Sequence, residues 1–305
     1  MKYTVAVLSG LNALAAASGH HCGTVPNDRV REMHANYAAA SAESRLLGLS
    51  DITARANYEI QTFFHIITED DTESGGNISQ DTINKQFDYF NKAYSGTGFS
   101  FVLNDTKWIN EPSWRQLTYD SSESLQMKGK LRQGDYGTLN VYVTTLDSQK
   151  KDSTLLGWAT FPEKSPTQAQ RQKDGVVINQ VSLPGMSLYG RTQVGGTLVH
   201  ETGHWLSLLH TFQGPDNAAD DDELAGCRGS GDEIYDTPAE GSPSSRCPKD
   251  RDTCTGTLES NNKSSMPGPD PVHNYMDYSD DYCMTEFTKG QMERMRQTWP
   301  DTRGK

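Results

Sequence analysis

Apolar residues along this chain fall into two kinds of run, and together they predict a fold of mixed helices and strands. Tyr58–Thr68 (YEIQTFFHIIT) is β-branched and aromatic and reads as a strand. Ile83, Phe87, Phe90 and Tyr94 recur at helical spacing, which predicts a helix with one core-facing stripe. Gly98–Leu103 and Thr138–Thr144 read as further strands, with a weaker helix over Ser121–Arg132 between them. Leu155–Phe161 and the short Val176–Ile178 follow as strands, and then a helix carries His200. This order fits an α/β-type upper subdomain built on a twisted mixed sheet. His65 lies inside the first strand, where packing is its expected role. Near the end of the sequence Thr288 and Gln291 fit a capping box. Met292, Met295 and Trp299 then give a closing helix its stripe.

Regularity fades on either side of this pattern. Lys2 followed by the apolar Val5–Ala17, with Ala15-Ala16-Ala17 as a cleavage site, reads as a secretory signal over residues 1–17. Residues 18–52 hold Cys22-Gly23 and an alanine-rich stretch, Met33–Leu49, that predicts a loose helix without a clear apolar face. Gln213–Asp270 is rich in Gly, Pro, Asp and Ser and is long for a structureless loop. It contains Cys227, Cys247 and Cys254, with Cys283 beyond it. Export permits disulfides, and the spacing of four cysteines leaves all three pairings open.

Composition narrows the partners. The 305 residues carry a net charge of -12, which argues against nucleic acid. After the signal no apolar run is long enough to span a bilayer, so no membrane partner is expected. Acidic residues gather at Asp220, Asp221, Asp222 and Glu223, then at Asp232, Glu233 and Asp236. Such hard oxygen donors suit calcium, with Asp232 and Asp236 as candidate ligands, although the EF-hand spacing is absent. A solvated acidic loop is the alternative reading. Asn77, Asn104 and Asn262 each open a glycosylation sequon.

The chemistry concentrates at His200-Glu201-Thr202-Gly203-His204 and His210. On a helix His200 and His204 project from one face and can share a metal ion. Glu201 beside them is placed to take a proton from an activated water. An unbroken helix would turn His210 away, so the chain must bend near Ser207 for a third imidazole to join them. Downstream stands Asn274-Tyr275-Met276-Asp277-Tyr278.

These residues resemble the metzincins, whose signature is H-E-x-x-H-x-x-G-x-x-H followed by a Met-turn. Ser207 replaces the glycine of that pattern. The bend favours a positive φ, which predicts a penalty of about 1 kcal/mol for a serine there. The wider string Asn274–Met284, with His204-Trp205 and His210-Thr211-Phe212, is similar to the pappalysin family and nearest to its secreted microbial and fungal members. The likeness spans roughly residues 55–300.

The resemblance implies an α+β catalytic domain over 53–305. Its helix-and-sheet upper subdomain would cover 53–210, and an irregular disulfide-linked lower subdomain 211–305. It implies one zinc ion on His200, His204 and His210, Glu201 as general base, Tyr278 at the oxyanion, and Met276 packed beneath the histidines. Leu155–Phe161 resembles the family's edge strand, which would bind a protein or peptide substrate as an extended strand. The family pattern favours Cys227–Cys254 and Cys247–Cys283. That leaves Cys22 in a Cys-Gly pair similar to a cysteine switch, which makes residues 18–52 a pro-segment. The function implied is a secreted zinc endopeptidase made as a latent precursor. The alternative is a zinc-stabilised binding protein that does not cleave. The retained Glu201 argues against it, since holding zinc does not need that carboxylate.

Overall fold

The computed structural model describes residues 19–48, 56–147, 153–215, 222–256 and 266–304. The signal over 1–17, the pro-segment boundary at 52, Asp220, Asp221 and the Asn262 sequon lie outside the described residues. The described residues open with β1 (Gly19–Cys22) and α1 (Asp28–Leu46). It continues through β2 (Tyr58–Thr68), α2 (Gln80–Ala93), β3 (Phe99–Asn110), α3 (Ser122–Leu131), β4 (Leu139–Thr144) and β5 (Ser153–Ala159). Then come α4 (Gln168–Gln172), β6 (Val176–Asn179), the hairpin β7 (Ser187–Leu188) and β8 (Arg191–Thr192), α5 (Gly196–Trp205) and α6 (Lys289–Thr298).

Local sequence starts most of these helices. Asn27, Ser79, Ser121, Thr167 and Thr288 stand at the N-caps of α1, α2, α3, α4 and α6. Each accepts from the backbone N–H three residues on. The Thr288–Gln291 capping box is present in full.

Six strands form one sheet in the order β1-β5-β6-β4-β2-β3. All neighbours are parallel except β5 and β6. Alternating residues face opposite layers. Ile60, Phe64 and Ile66 of β2, with Val141 and Val143 of β4, pack on Ile83 and Phe90 of α2, on its C-cap Tyr94, and on Leu198 and Val199 of α5. Ile67, Tyr142, Trp158 and Val177 face the other way, onto Trp114, Leu117 and Met127. Each fully buried side chain of this size contributes roughly 1.5–3 kcal/mol. His65 belongs to the second face. It stacks on Tyr142 at 4.9 Å and meets Asn140 Oδ1 at 3.0 Å.

Three expectations change. β3 runs on to Asn110, past Leu103, and keeps pairing with β2 across a bulge at Thr62/Phe63. Residues 18–52 contribute a strand, β1, that their composition did not predict. Consequently β5 is not an edge here: β1 lies parallel along its outer side, with Cys22 opposite Gly157. The loose-helix reading covers α1, whose buried residues are Val30, Met33 and His34.

Past α5 the lower part is largely irregular. Cys227 is bonded to Cys254 and Cys247 to Cys283. Closing loops of 27 and 36 residues in the unfolded chain is worth about 3.5–4 kcal/mol each by chain entropy. A buried polar network adds to this: Arg251 bridges Glu240 at 2.8 Å and Asp270 at 2.6 Å. Arg303 returns to the upper half. It forms a two-pronged pair with Asp174 at 2.7 and 2.9 Å and donates to the Trp205 carbonyl at 2.9 Å, meeting one of the orphan acceptors that end α5. No helix among the described residues is long and apolar enough to cross a membrane.

Candidate active site

The site is built on α5, every residue of which is buried. Its start is fixed from outside the helix. Asp281 Oδ2 accepts the backbone N–H groups of Val194, Gly195 and Gly196 at 3.0–3.1 Å, placing a carboxylate at the positive end of the helix. Its end is fixed by a reversal. Ser207 N–H donates to the His204 carbonyl and Leu208 N–H to that of Gly203, both at 2.9 Å. This is the Schellman pattern, with Ser207 at the left-handed position, φ +76°. The reversal swings His210 back toward the helix.

Three imidazoles then converge. His204 Nε2 lies 3.2 Å from His200 Nε2 and 3.1 Å from His210 Nε2. The far nitrogens set the tautomers: His200 Nδ1 donates to the Tyr275 carbonyl and His204 Nδ1 to that of Leu208, each at 2.7 Å. Burial lowers the pKa of His204 and of His210 well below the usual histidine range, so both are neutral. Lone pairs this close repel one another unless a cation lies among them. The donor set therefore fits a metal ion, and three imidazoles suit zinc. Cys22 Sγ joins the same group, with all four ligand atoms within 4.8 Å of one another.

Glu201 faces this group from α5 and is 1% exposed. Burial pushes its carboxyl up to about 8, against the opposing pull of two donors. Those donors are the Cys22 thiol at 3.3 Å and the Thr24 hydroxyl at 3.0 Å. Gly157 leaves room for the side chain: a Cβ there would sit 2.9 Å from Glu201 Cγ and 2.9 Å from the Val177 carbonyl. Tyr278 Oη accepts the Cys22 N–H at 3.0 Å and lies 3.3 Å from His210 Nε2. Met276 is fully buried beneath α5, so close that a Cβ on Gly203 would collide with its sulfur.

The structure thus brings together His200, Glu201, His204, His210, Met276, Tyr278 and Cys22. Other candidates stand apart. Asp232 is buried and accepts the Ile234 N–H at 3.0 Å, and burial pushes its carboxyl up to about 8. Asp236 receives Thr288 Oγ1 at 2.8 Å and Gly290 N–H at 2.9 Å, so it serves the start of α6. Asn77 and Asn104 are exposed. Four contributors were not read from sequence: Thr24, Gly157, Asp281 and His34. His34, on α1, meets Ser207 Oγ through Nε2 at 3.2 Å and accepts from Arg294 through Nδ1 at 2.8 Å.

The peptidase M43 family profile, described as pregnancy-associated plasma protein-A, matches residues 132–299. An extracellular metalloprotease of Arthroderma gypseum is 37% identical, over 98% of this chain and 90% of its own length. The chain belongs to this family of metallopeptidases. Another extracellular metalloprotease, from Pyricularia oryzae, is 38% identical over 94% of this chain and 91% of its own length. Among solved structures, Tannerella forsythia mature mirolysin in complex with a cleaved peptide aligns with a TM-score of 0.58 at 26% identity. That alignment covers 80% of this chain and 92% of mirolysin. A promirolysin mutant aligns with a TM-score of 0.62 at 22% identity, over 93% of this chain and 95% of its own, as a likeness of fold. The chain is a secreted zinc-dependent endopeptidase.

Proposed function

We propose that the described structure is the latent form, in which residues 19–46 fill the cleft of a peptidase formed by the rest of the chain. The observation that carries this reading is the meeting of three imidazoles, Glu201 and Tyr278 at one point, with Cys22 lying across it. His200, His204 and His210 would hold the zinc. When bound, zinc supplies Lewis acidity, which polarises a carbonyl and makes water more acidic. Glu201 takes the proton of the attacking water and returns it to the leaving amine. Tyr278 Oη, released from the Cys22 N–H, donates to the oxyanion.

Substrate binding follows from β1. The outer edge of β5 already pairs with one extended chain, so once β1 leaves, its free backbone groups suit a protein or peptide bound as a strand. Removal of residues 18–52 would therefore open metal, base and edge together. Calcium is a separate proposal, supported by the buried Asp232 carboxylate. Asp236 is engaged with α6, so the ion would lean on Asp232 and neighbouring carbonyl oxygens. Glycans would stand on the exposed Asn77 and Asn104, and on Asn262.

The test is to assay casein cleavage by processed enzyme before chelation, after it, and after zinc is restored. Cleavage is expected to vanish and return. Undiminished cleavage in fully chelated enzyme would overturn the reading. Calcium added alone to the chelated protein should raise the melting temperature without restoring cleavage.

A further inference from the structure

Two side chains of the pro-segment enter the site and both reach Glu201 Oε2, the Cys22 thiol at 3.3 Å and the Thr24 hydroxyl at 3.0 Å, but their other contacts differ. Cys22 Sγ lies among the imidazole nitrogens. Thr24 does not. It is 3% exposed and points its hydroxyl between α5 and β5. That hydroxyl donates to Glu201 Oε2 at 3.0 Å and accepts the Ala159 backbone N–H at 2.8 Å. A hydroxyl has one proton to give. With the Ala159 N–H directed at its oxygen, the proton is committed to the carboxylate. The intervening Gly23 N–H bonds the Gly157 carbonyl at 2.8 Å, which ties Thr24 to the sheet.

We propose that Thr24 is a second lock on the enzyme, acting on the general base while Cys22 acts at the metal position. It rests on the assignment of Glu201 as the base. Thr24 stands on the oxygen that must take a proton from water. It also holds the Ala159 N–H, a β5 donor that an incoming peptide backbone would need. Both are made by the hydroxyl itself, although Cys22 Sγ reaches the same Glu201 oxygen and accepts the Thr24 N–H at 3.2 Å. Removing the thiol alone therefore leaves the base capped and that edge donor occupied. A hydrogen bond to a charged, buried group shifts an equilibrium on the order of tenfold to a hundredfold. The lock should be felt on that scale.

The experiment uses the full-length, zinc-loaded precursor, shown intact by mass spectrometry and assayed on a short fluorogenic peptide. Cys22→Ala is compared with Cys22→Ala/Thr24→Val and Cys22→Ala/Thr24→Ser. Valine keeps the shape and removes the hydroxyl; serine keeps the hydroxyl. The valine double variant is expected to cleave about tenfold or more faster than Cys22→Ala, and the serine one at the Cys22→Ala rate. Amide exchange at Ala159 gives a readout independent of activity. It should quicken with valine and stay slow with serine. Equal cleavage by the valine double variant and Cys22→Ala overturns the lock, whether or not exchange at Ala159 changes. Processed enzyme carrying Glu201→Ala is assayed alongside. If it cleaves normally, the base assignment fails and the lock fails with it. If it is silent while the double variant gains nothing, only the lock fails.

Discussion

Ser207 shows how one residue can be strained for one form of a protein and useful in another. Its φ of +76° is the conformation that glycine adopts cheaply. In the described structure its hydroxyl also meets His34, which Arg294 holds from the other side. Ser207→Gly should therefore act with opposite signs. In the processed domain it relieves about 1 kcal/mol of strain, a rise of roughly 2–4 °C in melting temperature. In the precursor the lost hydrogen bond, also worth about 1 kcal/mol, offsets that gain. Melting curves of both forms, with and without the substitution, decide it. An equal rise in both would mean that the His34 contact contributes nothing.

Glu201→Ala is a sharper residue test. It should keep zinc and fold while proteolysis drops by roughly 10²–10⁴-fold. Bound zinc and casein cleavage are measured on one preparation, and near-normal cleavage would remove Glu201 from the mechanism. At this scale the sequence is readable where spacing is local. His200, Glu201 and His204 share one helix, and the positive φ at Ser207 follows from the need to bring His210 back. Gly157, Thr24 and Asp281 were not readable, because each acts on a residue far along the chain and leaves no period behind.

Among the elements, strands buried on both faces announced themselves. β2, β4 and β6 are apolar runs that few other structures would accommodate. β1 (GHHC) has no such pattern; it is a strand only because β5 offers it an edge. The far half of β3 is polar and exposed, held by its ladder to β2. The inner strand β2 also carries a pH dependence. Burial lowers His65 from 6.5 to about 4, so between those values the unfolded chain binds the extra proton. Stability from this residue is complete above about 6.5 and is lost as the pH falls to about 4, on the order of 3 kcal/mol in all. His65→Gln should flatten that window. Denaturant unfolding at both ends of it is the check, and an unchanged slope would show that other groups set the acid limit. For α5, Asp281→Ala leaves three N–H groups without their carboxylate. A loss of roughly 1–3 kcal/mol and weaker zinc retention in a chelator titration are expected. Unchanged retention would confine Asp281 to the hairpin that precedes the helix.

Taken whole, the molecule divides its support between two kinds of bond. The upper half rests on apolar layers, and the lower half on crosslinks and a buried charge network. Reduction should therefore act unevenly. Cys227→Ser or Cys283→Ser is expected to lower stability by about 2–5 kcal/mol, with early protease nicking between Gln213 and Asp270. Nicking in the upper half first would reverse this division. The Arg303–Asp174 pair has a different consequence, one of timing. Chains are made from the N-terminus, so Gly19–Leu46 exists before Arg303 does. The carbonyl at the end of α5 gains its donor only when that arginine has been made. On the proposed reading, the segment that covers the site is thus made before the site it would restrain is finished.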